Sequence, residues 1–173
     1  NSNQPFLSEN KKIQIIYNGE IYNYKDLKKQ YFPNKIFKSN GDGEVLIYLY
    51  EKYGIEFIHK IKGMFSICII DENIKKIYLV RDRFGIKPLY YHYNSFKKIL
   101  YFCSEIKGIF ELKNINTKIN DKEAYKFFNQ GLINSSGETW FKNIYQVKPS
   151  HFLEYSKDKI VEKKYYFLED HID

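Results

Sequence analysis

The sequence predicts an α+β fold of antiparallel strands with helices grouped toward its two ends, and three observations predict it. Two long apolar stretches in the middle, "MFSICIIDENIKKIYLVRD" and "RFGIKPLYYHYNSFKKILYFCSE", each break at a short polar turn into a pair of strands. Apolar residues at helical spacing occur mainly before and after these pairs, in "EIYNYKDLKKQY", "GEVLIYLYEKYG" and near Asp121–Asn129. Strands and helices do not alternate as in a parallel doubly wound sheet, and neither common glycine-rich phosphate loop is present. A layered αββα arrangement of antiparallel sheets suits this order.

A strand is expected over Ile13–Tyr17, followed by Asn18–Gly19. Asn-Gly between apolar stretches is a strong hairpin signal, because a type I′ turn needs positive φ at both central residues. The stretch after Gly19 reads as a helix instead: Ile21, Tyr24, Leu27 or Lys28, and Tyr31 share a face. Asn23 is a good N-cap with Asp26 three residues on. The pair is thus expected to end a strand at a sheet edge, where backbone N–H groups and an amide side chain can face a ligand. The residues alone leave hairpin and site open. Further on, Val45, Leu46, Leu49 and Tyr53 form an apolar stripe that Gly54 stops. Asp42 precedes that helix between Gly41 and Gly43. A plain N-cap is one reading, and a binding role is the other, since glycine on both sides permits close approach. "IEFIHKIKG" reads as a short helix, and so does "EIKGIF". "HFLEYS-KDK-IVEKKYYF" reads as a last hairpin, and "FLEDHID" as polar and linker-like.

Composition limits the function classes. With 173 residues, 43% hydrophobic and 18% aromatic, the chain can bury a substantial core. No apolar run approaches a membrane span and no secretory signal opens the sequence, so no membrane partner is expected. Cys68 and Cys103 both lie in strand-like stretches and read as core thiols, which points to a reducing, cytoplasmic location. His59, His92, His151 and His171 are isolated from one another, and no metal constellation is expected. The net charge of +7 comes from scattered lysines, so no nucleic-acid partner is expected either. The two arginines, Arg81 and Arg83, sit together in "VRDRFG". In a lysine-rich chain that pairing suggests a need for planar forks toward carboxylate or backbone carbonyls.

"NGEIYNY", "GDGEVLIYLYEKYG", "KGMFSICIIDENIKKIYLVRDRFGIKPLYY" and "FCSEIKGI" stand in this order. Together they resemble the class II, N-terminal-nucleophile glutamine amidotransferase domain of glutamine-hydrolysing asparagine synthetases. The resemblance runs from Gln4–Pro5 to Tyr166, as a partial amidotransferase domain over 1–166 with 167–173 opening a linker. It implies a four-layer αββα sandwich and a reaction in which an N-terminal cysteine attacks the side-chain amide of glutamine, giving a thioester and ammonia. By the same resemblance the Asn18 side-chain amide and the Gly19 N–H form the oxyanion hole, where preorganised donors meet the developing charge. Glu20 and Asp42 match the positions that hold the substrate's α-ammonium. "VRDRFGIKPLYY" is expected to shape the pocket and the ammonia exit, without a catalytic role for its arginines.

Two departures from the family pattern are expected to matter. The resemblance puts the cysteine nucleophile and a carboxylate-binding arginine ahead of Gln4, where this sequence has only "NSN", and Gly43 stands where Cys or Thr is usual. The chain alone is therefore expected not to hydrolyse glutamine. A partner synthetase domain, covalently linked or separate, is expected to use ATP and Mg to activate aspartate; no cofactor is expected in this chain. A homodimer is compatible with the sequence. The alternative is a non-catalytic glutamine-binding or regulatory module of amidotransferase type.

Overall fold

The computed structural model describes residues 3–112, 115, 118–133 and 136–171. They form two compact units. One runs to Lys87 and resumes at Pro149; the other spans Pro88–Lys148.

The first unit is built on a six-stranded antiparallel sheet. Its strands are β1 (Phe6–Leu7), β2 (Ile13–Ile21), β3 (Gly63–Asp71), β4 (Lys76–Arg81), β8 (His151–Ser156) and β9 (Lys159–Lys164), hydrogen-bonded in the order β1-β2-β3-β4-β8-β9. Both expected hairpins of this unit, β3–β4 and β8–β9, are present. Strand alternation puts Ile13, Ile15 and Ile21 of β2 on one face with Phe65, Ile67 and Ile69 of β3. Helix α2 (Glu44–Tyr53) lays Val45, Leu46, Leu49 and Tyr50 onto that face, and α1 (Tyr24–Tyr31) adds Leu27. Ile15, Val45, Leu46, Leu49 and Ile67 have no exposed surface, so this is the core of the unit. The short segment after α2 is a 3-10 turn, Gly54–His59, which buries Phe57 and Ile58.

The loop after β4 folds around one carboxylate. Asp82 is fully buried. Its Oδ1 accepts the N–H groups of Phe84 and Ile86 at 3.1 and 3.0 Å, and its Oδ2 those of Phe65 and Lys87 at 3.3 and 2.9 Å. Arg81 closes the same loop from outside, its Nε donating to the Lys87 carbonyl at 2.9 Å and its Nη2 to the Gly85 carbonyl at 2.6 Å. Arg83 donates to the Ile61 carbonyl at 3.3 Å and lies over the Tyr166 ring. The need for arginine here is thus the forked donor against backbone carbonyls.

The second unit holds a three-stranded sheet with the order β6-β5-β7, made of β5 (Tyr90–Asn94), β6 (Ile99–Cys103) and β7 (Tyr145–Gln146). Helix α3 (Ile106–Phe110) follows β6, and α4 (Asp121–Gln130) packs Phe127 and Phe128 against the ring of Trp140. The helices expected at "EIKGIF" and at Asp121–Asn129 therefore form.

Two local readings are corrected. The strand expected to stop at Tyr17 runs on to Ile21, and Asn18–Gly19 lies inside it, opposite Ser66 and Phe65. Continued pairing with β3 outweighs the turn tendency of Asn-Gly. Asn23 does precede α1, but its side chain makes no capping bond. It reaches instead to the loop before β3, donating to the Lys60 carbonyl and accepting the Lys62 N–H, both at 2.9 Å.

Candidate functional site

The candidate site forms along the outer edge of β2. β1 covers only Gln14 and Ile15. Beyond it, the Gln4 side chain takes the place of a strand: its Oε1 accepts the Tyr17 N–H at 2.7 Å and its Nε2 donates to the Tyr17 carbonyl at 2.8 Å. Four residues on, the Ile21 N–H donates to Asp42 Oδ2 at 2.7 Å. Tyr17 and Ile21 thus direct their N–H groups away from β3, and by strand alternation so does Gly19 between them. Its partner on β3 agrees: Phe65 turns its own N–H and carbonyl the other way, to Asp82. The Gly19 N–H is therefore aimed at the edge, into a cavity of about 340 Å³ lined by Gly19, Glu20, Tyr24, Gly41, Asp42 and Met64.

Glycine at 19 is a steric requirement. Its φ is +150°, and a Cβ there would lie 2.1 Å from the Met64 carbonyl oxygen and 2.7 Å from the Phe65 Cα. A pair without mutual hydrogen bonds brings Cα atoms to about 4.5 Å, which leaves no room for a misdirected side chain. Gly63 is a second bare position, where a Cβ would meet the Glu20 carbonyl oxygen at 2.1 Å.

The N-cap reading of Asp42 does not hold. Gly43 occupies that position of α2, and no side chain caps it. Asp42 instead reaches across to β2, where Oδ1 accepts the Tyr17 hydroxyl and Oδ2 the Ile21 N–H. Burial, reinforced by the bond to Asp42 and by the charges of Asp42 and Glu20, raises the Tyr17 pKa, so its hydroxyl remains the donor. Lys28 holds the approach to Asp42 by donating to the Gly41 carbonyl at 3.0 Å. Among the described residues, neither Glu20 nor Asp42 is held in a salt bridge.

The structure therefore brings Gly19, Glu20 and Asp42 to one cavity, with Asn18 next to them on exposed strand. Sequence reasoning missed Tyr17. The tyrosine stands one residue before the Asn-Gly pair, but only the fold brings its hydroxyl to a residue 25 positions on. The cavity offers the Gly19 backbone donor beside the carboxylates of Glu20 and Asp42. Such a set can bind a ligand carrying both a polarisable carbonyl and an ammonium. Cys68 cannot serve as a nucleophile here: it is 3% exposed, and burial pushes its thiol up to about 12.

Similar chains occur among known proteins. The asparagine synthetase [glutamine-hydrolyzing] 2 of Bacillus subtilis is 45% identical over 158 residues, covering 89% of this chain and 21% of the relative. A putative asparagine synthetase [glutamine-hydrolyzing] 2 of Methanocaldococcus jannaschii is 38% identical over 91% of this chain and 30% of its own length. The chain thus spans between a fifth and a third of these relatives. Among solved structures, the glutamine phosphoribosylpyrophosphate amidotransferase of B. subtilis shares the fold with a TM-score of 0.60 at 20% identity, over 94% of this chain and 32% of that one. The α+β fold of antiparallel sheets expected from the sequence is the one they share. The family model described as "Glutamine amidotransferase domain" matches residues 1–166, and the chain belongs to that family.

Proposed function

We propose that this chain is the glutamine-hydrolysing, ammonia-donating part of an asparagine synthetase-like enzyme. The observation that carries the reading is the Gly19 N–H, turned out of the sheet toward the cavity that Glu20 and Asp42 line. In this reading the Asn18 amide and the Gly19 N–H stabilise the oxygen of the tetrahedral intermediate. Glu20 and Asp42 receive the α-ammonium, which favours an amino acid over a plain amide. The nucleophile is the N-terminal cysteine that the resemblance implies. The ammonia passes to an aspartate activated with ATP and Mg in a synthetase domain, and the whole works in the cytoplasm.

The test uses the full-length protein and measures ammonia released from glutamine. Asn18→Ala is expected to lower kcat by about a hundredfold or more, while synthesis supplied directly with ammonium salt is retained. Unchanged hydrolysis by Asn18→Ala would refute the oxyanion assignment. Tight glutamine binding without turnover by the wild type would favour the glutamine-binding, regulatory reading.

A further inference from the structure

The carboxylate read as the ammonium acceptor is gripped by β2. Asp42 Oδ2 is fixed by the Ile21 N–H at 2.7 Å, and Oδ1 by the hydroxyl of Tyr17. The two donors stand four residues apart on one strand, so the carboxylate can neither swing nor rotate without losing one of them. Each oxygen keeps a further lone pair for a ligand in the cavity that Asp42 lines. The Tyr17 ring reaches this place through a gap. It packs against Phe6 with ring centres 6.2 Å apart. A Cβ on Gly43 would lie 2.4 Å from Tyr17 Cε1 and 2.6 Å from Phe6 Cε2 and Cζ. Gly43 has ordinary helical φ and ψ, so its lack of a side chain serves the ring and not the backbone.

We propose that Tyr17 is a positioning residue for substrate selection: its hydroxyl holds Asp42 in the orientation that receives the α-ammonium of glutamine, and the bare Cα of Gly43 admits its ring. This rests on Asp42 being an acceptor of that ammonium. Tyr17 touches Asp42, and it is not assigned a contact with the reacting amide. Its effect therefore falls on recognition of the ammonium and spares the chemical step.

The experiment compares the full-length wild type with Tyr17→Phe and Asp42→Asn, using L-glutamine and glutaramate, which is glutamine without its α-ammonium. Tyr17→Phe keeps the ring and its packing on Phe6, and a thermal melt checks its folding. Losing one hydrogen bond to the carboxylate is expected to raise KM for glutamine roughly five- to tenfold, with kcat within about twofold. kcat/KM for glutaramate is expected to stay unchanged. Asp42→Asn is expected to raise KM for glutamine further, again sparing glutaramate. If Asp42→Asn has its effect and Tyr17→Phe does not, the positioning role alone is overturned. A loss in Tyr17→Phe that is equal for both substrates, or that falls on kcat, also overturns it, since it marks a merely structural effect. If Asp42→Asn leaves glutamine unaffected, the ammonium reading itself fails and the inference with it.

Discussion

Replacing Asp82 by asparagine isolates what one buried carboxylate contributes to the loop after β4. The side chain is fully buried, and its oxygens accept four backbone N–H groups, two on each. Asparagine keeps the shape but exchanges one acceptor for an NH2 group. Whichever way the amide turns, two backbone N–H groups then face a donor. A hydrogen bond to a charged acceptor contributes about 1.5–3 kcal/mol net, so losing two costs about 3–6 kcal/mol. Neutralising a buried charge recovers part of its desolvation cost, which moves the expectation to the lower end, about 3 kcal/mol. With a urea slope near 2 kcal/mol/M, the unfolding midpoint is expected to fall by about 1.5 M. Urea titration of the two proteins at neutral pH, followed by far-ultraviolet circular dichroism, measures this directly. A midpoint shift below about 0.3 M at unchanged slope would refute the reasoning, because it would mean that the four bonds contribute almost nothing beyond what water offers the unfolded loop.

Three other outcomes are expected. Gly19→Ala combines a φ that alanine resists with a Cβ 2.1 Å from the Met64 carbonyl oxygen; a cost of about 3 kcal/mol should lower Tm by about 6–12 °C, and an unchanged melt would contradict the steric argument. Asn23→Ser preserves a capping residue but removes both bonds to the loop at Lys60 and Lys62; a loss of about 1–2 kcal/mol is expected, whereas a pure capping role predicts near-neutrality. Glu44 is buried, which by itself would raise its pKa, but bonds from Lys38, Ser39 and Tyr48 outweigh burial and hold the carboxyl below its ordinary range. A depressed carboxylate stabilises the fold above its unfolded pKa of about 4.3 and loses that contribution as pH falls through the lower folded value. Wild type should therefore exceed Glu44→Gln in stability at pH 7, with the gap closing in acid. A gap that widens below pH ~4 would reverse that sign.

Much of the fold is legible in the sequence because its signals are local. The hairpins β3–β4 and β8–β9 announce themselves by apolar runs broken at polar turns, and α2 by a stripe that ends in Gly54. The departures arise where a side chain acts at a distance. Asn18–Gly19 reads as the end of a strand, with hairpin and site both open, until β3 is seen to pair through it. Asn23 and Asp42 both have the chemistry of an N-cap, yet Asn23 spends its polar atoms on backbone 37 to 39 residues away, and Asp42 on the Ile21 N–H and the Tyr17 hydroxyl, 21 and 25 residues away. β1 is two residues long and carries no periodicity to detect. The gathering of Gly19, Glu20 and Asp42 is reached through family resemblance and motif order. The link from Tyr17 to Asp42 is invisible in the sequence, because strand alternation tells which face a tyrosine takes but not where its hydroxyl ends.

The stretch of β2 past β1 has a further consequence. An uncovered strand margin is a template on which a stray extended chain can add itself, the usual start of sheet-to-sheet aggregation. Here the amide of Gln4 occupies both backbone groups of Tyr17, and the Asp42 carboxylate occupies the Ile21 N–H. An intruding strand would have to displace both to zip along the margin, whereas a small molecule with one carbonyl needs only the N–H between them. Side chains acting as stoppers thus let β2 keep a backbone donor available without becoming sticky toward other polypeptides.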